Sequence, residues 1–452
     1  RYRSYDCHPF ALAQMIAHRV RGGVDEYSLS CNPETMRDIM PAMRKLSDVG
    51  KPMLVIAQIN EHLPFMVNDA QVGKDYFDVI IKPATSSTLF APPNMPVTTT
   101  DYMIGLHASA LIADGGTLQI GIGSLGDAIV YGCELRQQNN AAYRGILNST
   151  GIESKFGDLI HREGGLEPFS QGLYGNSEMF VSGFYELIRH GILRRKVYEH
   201  EGLQRLLNEG KLHEALSADT LNVLLQEGVI QSRLTPADVQ FMNYFGIFSP
   251  ALRLENHTLT TPDGQRFSND ILDDHQRSTL ANACLGKRLK HGRIMHGGFF
   301  LGPKSFYDGL RSMDDAMLES INMTNISYVN QLYGSENVKR LQRLKFRGIN
   351  TVFLAHMLGA ATSDGLDNGK VVSGVGGQYN FVAQAHELEG GRSILMLKST
   401  RVKDTHTQSN IVWNYGHTTI PRHLRDIFVT EYGIADVRGK CDRDVVIAKE
   451  NE

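Results

Sequence analysis

A chain of 452 residues is longer than one ordinary domain and allows two large domains or three smaller ones. Apolar residues make up 42% and charged residues 21%, enough to bury sizeable cores, and 46 Lys and Arg against 49 Asp and Glu give no basis for binding nucleic acid or an anionic membrane. No run of about eighteen apolar residues occurs, which excludes a hydrophobic spanning helix.

The first third alternates strand-like and helix-like segments. PMLVIAQIN (52–60) and YFDVIIK (76–82) are short β-rich runs, and NPETMRDIMPAMRKL has helical spacing behind Asn32 as a cap. Such alternation predicts a largely parallel sheet covered by helices. PATSSTLFAPPNMP (83–96) is proline-rich and reads as a connector. From about 186 to 290 the texture changes. EGLQRLLNEGKLHEALSADTLNVLLQEG is helical and rich in leucine and glutamate, and a polar stretch with a turn at TPDGQ follows. This segment reads as an insertion or a small helical layer. Beyond 290 the alternation returns, with VVSG, SILMLK and DIFVTEYG as the clearest strands.

Two stretches echo each other. LQIGIGSLGDAIV (118–130) and VVSGVGGQYNFVA (371–383) share an apolar strand, a G-x-G turn and an apolar helix start. Glycine permits the tight turn and lets a ligand approach the backbone, and the helix behind it points free N–H groups outward. Two similar half-domains facing one cleft explain the echo; two unrelated strand-to-helix turns explain it equally.

GIGSLG also fits the dinucleotide fingerprint G-x-G-x-x-G, but that motif needs an acid about twenty residues on, and none lies between Glu134 and Glu153. His417 and His423 have no metal-pair spacing and no ligand partner nearby, so a surface or hydrogen-bonding role is expected and no metal is assigned. Ser373 lacks the G-x-S-x-G context of a serine nucleophile. FFLGPKSFY reads as packing residues. The cysteines, Cys7, Cys31, Cys133, Cys284 and Cys441, are odd in number and widely spaced, which argues against a disulfide framework and suits a reducing compartment such as the cytoplasm. The chain opens on Arg1 and stops on AKENE, so we read it as trimmed at both ends, with a removed mitochondrial targeting peptide left open.

Glu178, in YGNSEMFVSG (174–183), admits two readings. Asn176 could cap a helix whose dipole the glutamate favours. Alternatively, an ionised carboxylate attacks an activated acyl group, given a rigid mount and donors for the developing oxyanion.

SGVGGQYNFVAQAHEL (373–388), with TIPRHLRDIFVTEYGIADVRGK (419–440) downstream, closely resembles the C-terminal signature of the acetyl-CoA hydrolase/transferase family. That group includes 4-hydroxybutyrate and succinyl-CoA:acetate CoA-transferases. LQIGIGSLGDAIV is similar to its N-terminal glycine turn and GNSEMFVSG to its S-E-M segment, so the match covers roughly 50–190 and 295–440. The resemblance implies an α/β protein of class I CoA-transferase type, built of two similar open, mostly parallel-sheet halves at 1–186 and 293–452 around a helical insertion at 187–292. It places the nucleophile at Glu178 and backbone oxyanion donors at Leu125, Gly376 and Gly377. Gly121, Gly123, Ser124, Gly374 and Gln378 then line the coenzyme A site, and Glu431 is structural. The implied reaction is acyl-CoA:carboxylate CoA transfer through a glutamyl-CoA thioester, with coenzyme A as substrate and no prosthetic group. Acetyl-CoA hydrolysis on the same residues and a non-catalytic CoA- or nucleotide-binding protein are the alternatives. The partners implied are an acyl-CoA, a small carboxylic acid, and further copies of the chain in a homodimer or larger homo-oligomer.

Overall fold

The structure is a computed structural model that describes residues 11–51, 53–93, 95–403 and 406–450. Arg1, Cys7, Pro52, Asn94 and the last two residues of AKENE lie outside that range. The chain divides into two compact units, one of residues 1–195, 294–336 and 343–452, the other of 196–293 and 337–342.

The first unit begins with a five-stranded sheet ordered 71–72, 24–28, 11–21, 54–59, 79–81. The long strand Ala11–Arg21 pairs parallel with Leu54–Ile59 and antiparallel with Val24–Ser28. The helix Pro33–Asp48 lays Met36 and Met40, one turn apart, into a core with Ile16, Val55, Ala57 and Ile59. Pro33 at its first turn costs no hydrogen bond. Asn32 occupies the cap position but its side chain makes no capping bond; its Oδ1 instead accepts from Cys31 Sγ at 3.0 Å.

The principal sheet has eight strands, ordered 321–323, 295–300, 174–180, 117–120, 346–351, 392–396, 427–429, 434–436. All neighbours are parallel except the final antiparallel pair. Its strands are buried on both faces, as parallel sheets covered by helices require. Because they run one way, the turns after 117–120, 346–351 and 392–396 leave the same edge, where open parallel sheets bind ligands.

Thr117–Ile120 and Tyr174–Phe180 sit in one sheet with the strands from beyond 293. The first glycine turn follows the strand Thr117–Ile120 of that sheet, whereas the second lies in a loop ahead of the helix Gln378–Glu387. The boundary at 187 falls inside the helix Ser182–Arg189, which is part of the first unit. VVSG is exposed loop rather than strand, with a bridge from Val371 to Gly365.

The second unit packs the helices Glu201–Asn208, Thr220–Gln226, Pro236–Tyr244 and Asp274–Cys284 around Leu203, Leu206, Leu221, Leu224 and Met242. The helix at 236 starts with a reciprocal capping box between Thr235 and Asp238. It also holds a three-stranded antiparallel sheet (253–255, 258–260, 266–268), absent from the helical reading. TPDGQ forms its last turn, with Thr261 N donating to Gln265 O at 3.0 Å.

Candidate active site

Glu178 lies in the strand Tyr174–Phe180, between 295–300 and 117–120. A strand position removes the helix-capping reading, and Asn176 instead donates from Nδ2 to Val329 O at 3.3 Å. Ser177 Oγ donates to Ile120 O at 3.1 Å, tying the strand to its neighbour just before the glutamate. The Glu178 side chain is half-buried.

Two elements converge on its carboxylate. Asn330, closing the short helix Ile326–Val329, donates from Nδ2 to Glu178 Oε2 at 2.9 Å. Gly376 takes a left-handed φ of 51°, and Gly377 caps the helix Gln378–Glu387. A methyl group at Gly377 would collide with Glu178 Oε2 and lie 2.7 Å from Asn330 Nδ2; at Gly376 it would be 3.8 Å from Oε1 and 3.9 Å from Oε2. The 376–377 turn therefore presses its backbone on the carboxylate, and only glycine at 377 leaves room for the acid. From the strand Met295–Phe300, Gly298 makes a close approach of its own: a methyl there would be 2.9 Å from the Glu178 carbonyl oxygen.

The loop carrying this turn is anchored at its base. Asp364 O accepts from Val372 N at 2.8 Å and Ser373 N at 3.2 Å, and the Asp364 carboxylate pairs with His417 Nε2 at 2.9 Å. His417 thus has a hydrogen-bonding role, while His423 is exposed. Gln378 is buried and its Nε2 donates to Thr351 O at 3.1 Å, so its amide nitrogen is committed to the sheet edge. Gly374 stands in the exposed part of the loop.

The other turn opens onto a cavity of about 1010 Å³, lined by Gly123, Ser124, Leu125, Thr351, Lys398 and Arg401 among others. Gly123, with φ 111°, starts the helix Ser124–Gln138, whose first amides have no partner within the helix. Gly121 completes the turn: its carbonyl abuts Gly126 so tightly that a methyl at 126 would overlap it. Lys398 Nζ lies 3.0 Å from the buried Asp101. Glu431 is tied at both oxygens by Ser399, through N at 2.9 Å and Oγ at 2.6 Å.

Glu34, in the first turn of Pro33–Asp48, lies close enough to Glu178 for the two charges to interact. Burial pushes its carboxyl up to about 7 and Glu178 adds to this, against its own backbone amide, Asn32 and Thr35, which favour the anion. Its Oε2 is buried and has no hydrogen-bond partner among the described residues.

The structure brings Glu178, Gly376 and Gly377 together and sets Gly123, Ser124 and Leu125 on a cavity whose lining includes none of those three. Sequence reasoning passed over Asn330, Glu34 and Gly298. Asn330 stands in YVNQLYG, with no motif around it, and Glu34 is an acid in a helix's first turn, where acids are common. The HGG of MHGGFF was the one signal available for Gly298, a glycine pair inside an apolar strand.

Residues 302–448 match the model of the acetyl-CoA hydrolase/transferase C-terminal domain, so the resemblance read from the sequence is shown for that segment. A 4-hydroxybutyrate coenzyme A transferase of Clostridium kluyveri is 21% identical over 392 residues, covering 86% of this chain and 59% of the relative. A succinyl-CoA:acetate/propanoyl-CoA:succinate CoA transferase of Fasciola hepatica is 27% identical over 191 residues, 42% of this chain and 37% of the relative. Among solved structures, a 4-hydroxybutyrate CoA-transferase from Porphyromonas gingivalis superimposes with a TM-score of 0.53 at 16% identity, over 98% of this chain and 70% of the other. At that identity the likeness concerns the fold alone. The chain spans 59% of the length of the Clostridium kluyveri relative.

Proposed function

We propose that the protein is an acyl-CoA:carboxylate CoA-transferase that works through a glutamyl-CoA thioester on Glu178. The observation that carries this reading is the seating of the Glu178 carboxylate: Asn330 Nδ2 donates to it at 2.9 Å and the backbone of Gly376 and Gly377 packs against it. A carboxylate so held is oriented and flanked by backbone, which is what a nucleophile attacking a thioester needs.

In the proposed reaction Glu178 attacks the thioester carbonyl of an acyl-CoA, and coenzyme A leaves as thiolate from an acyl-glutamyl anhydride. The thiolate attacks the glutamyl carbonyl, which releases the acid and leaves the enzyme–CoA thioester. An incoming carboxylate reverses both steps and departs as the new acyl-CoA. Each addition makes an oxyanion, and the amides of Gly377 and Leu125 are the donors assigned to it. The cavity at Ser124, Leu125, Lys398 and Arg401 is assigned to coenzyme A: the first turn offers amides to the reacting end, and the two cations suit its phosphates. Binding energy from that distant end then lowers the barrier at the thioester.

The experiment is thioester turnover with and without an added short acid such as acetate. Acid-dependent formation of a new acyl-CoA, abolished in Glu178→Ala, supports transfer. Full-rate thioester loss without acid would make the protein a hydrolase on the same nucleophile, and turnover unaffected by Glu178→Ala would remove the reading.

A further inference from the structure

Arg343 is fully buried, and no carboxylate pairs with it among the described residues. Its guanidinium bonds only neutral oxygens. Nη2 donates to Tyr328 O at 2.6 Å, and Nη1 donates to Gln331 O at 3.4 Å and to Gln384 Oε1. A charge taken out of water without an opposite charge beside it is costly, so the place where this fork is spent asks for a reason.

The three acceptors belong to the two elements that converge on the Glu178 carboxylate. Tyr328 lies in the short helix Ile326–Val329 and Gln331 just beyond it, so the fork grips the carbonyls on both sides of Asn330. Gln384 lies on the helix Gln378–Glu387, which Gly377 caps, and its Nε2 donates to Val329 O at 3.4 Å. The last carbonyls of a helix have no partner within it, and here Arg343, Gln384 and Asn176 supply donors to them. At the opposite end of the same helix, Ser327 N donates to Asp38 Oδ2 at 3.0 Å. The backbone around Asn330 is thus held from both ends, and its Nδ2 stands 2.9 Å from Glu178 Oε2.

We propose that Arg343 is a positioning residue for the reaction: its fork fixes the 328–331 segment against the helix behind Gly377, and so aims the Asn330 amide at Glu178. The proposal rests on the CoA-transfer reading of the site. What the role needs is the fork and not the charge alone. Lysine keeps the charge, but its single ammonium does not reproduce the planar fork that reaches Tyr328 O, Gln331 O and Gln384 Oε1 together. An arginine that only supports the fold would affect the rate by the same factor whatever stands at 330. One that aims Asn330 loses its influence on the rate once the Asn330 amide is gone.

The test is a double-mutant cycle on the full chain, with acetyl-CoA as probe and thioester formation on Glu178 in a single turnover as readout. Asn330→Ala and Arg343→Lys should each slow that step about tenfold or more. The double variant should be slower than Asn330→Ala by less than about twofold, because the two changes remove one interaction. In steady turnover, KM for acetyl-CoA should stay near its starting value in Arg343→Lys. Costs that multiply to about 100-fold in the double variant, or an Arg343→Lys protein at the unaltered rate, would overturn the proposal whatever the thermal midpoint does. Gln384→Met takes away one acceptor of the fork and the donor to Val329 O, and should slow the step about threefold, again only while Asn330 is present. It carries the test if Arg343→Lys does not fold; if neither variant folds, Arg343 serves the fold and the proposal falls. No thioester on Glu178 in the unaltered protein would remove the transfer reading, whereas a thioester with multiplying costs would remove this proposal alone.

Discussion

Replacing Gly377 with alanine adds one methyl group at the most crowded point of the site. The backbone there has φ −88°, which alanine adopts without strain, so the consequence is steric and local. The methyl would overlap Glu178 Oε2 and stand 2.7 Å from Asn330 Nδ2 and 3.0 Å from Phe381 Cε2. Phe381 is buried in a small core with Phe346, so the carboxylate is the group that must move. A displaced carboxylate loses the Asn330 bond, and a hydrogen bond to a charged group contributes about 1.5–3 kcal/mol. At about tenfold per 1.4 kcal/mol this alone is a factor of roughly 10 to 100, and misplacing a reacting group by about 1 Å costs on the order of 100-fold. We expect kcat for CoA transfer to fall about 100-fold, with far less change in KM for acyl-CoA, read by the appearance of new acyl-CoA with acetate as acceptor. The control is Gly376→Ala. Its φ of 51° costs alanine backbone strain of about 1 kcal/mol, but its methyl would keep an ordinary contact of 3.8 Å to the carboxylate. A Gly377→Ala enzyme at the unaltered rate, or one impaired no more than Gly376→Ala, would refute the packing argument.

Asn330→Ala removes the donor but leaves space, so kcat should fall about tenfold to 100-fold while the thermal midpoint shifts little; an unchanged kcat would mean the bond at 2.9 Å does not hold the nucleophile. Arg401→Ala should raise KM for acyl-CoA and leave kcat near its starting value, since that cation lines the cavity assigned to the distant end of coenzyme A; a fall in kcat alone would count against the assignment. Glu163 provides a pH prediction away from the site. Its burial opposes ionisation, but Arg392, Arg438 and Arg162 outweigh it and hold the carboxyl down at about 2. A depressed folded pKa contributes stability above the ordinary carboxylate range and loses it as pH falls from about 4.5 toward 2. Glu163→Gln should therefore be less stable at neutral pH, because it strands the buried Arg347 beside Arg392, and should show a shallower loss of thermal midpoint across that acid window.

The glycine turns were legible because their signal is local: G-x-G followed by a helix start stands out in any context. The helices Pro33–Asp48, Ser124–Gln138 and Gln378–Glu387 carried their spacing in the sequence in the same way. The strand of Glu178 was harder to see. YGNSEMF alternates poorly because both of its faces are covered, and an Asn before a Glu imitates a helix start. Which strands share a sheet is a question of long-range pairing, and no local signal placed 117–120 beside 346–351. Asn330 and Glu34 lie 152 and 144 residues from Glu178 along the chain, as 330 − 178 and 178 − 34 give. Nothing near either of them in sequence states what it touches.

The central claim is that one carboxylate becomes covalently joined to coenzyme A. The direct measurement is to mix the protein with an acyl-CoA, add borohydride, and map the product by mass spectrometry. Reduction of an acyl-enzyme thioester converts the side chain to an alcohol, and the account places that mass change on Glu178 and on no other residue. An alcohol at a different glutamate, or an unmodified Glu178 under conditions of full turnover, would contradict it.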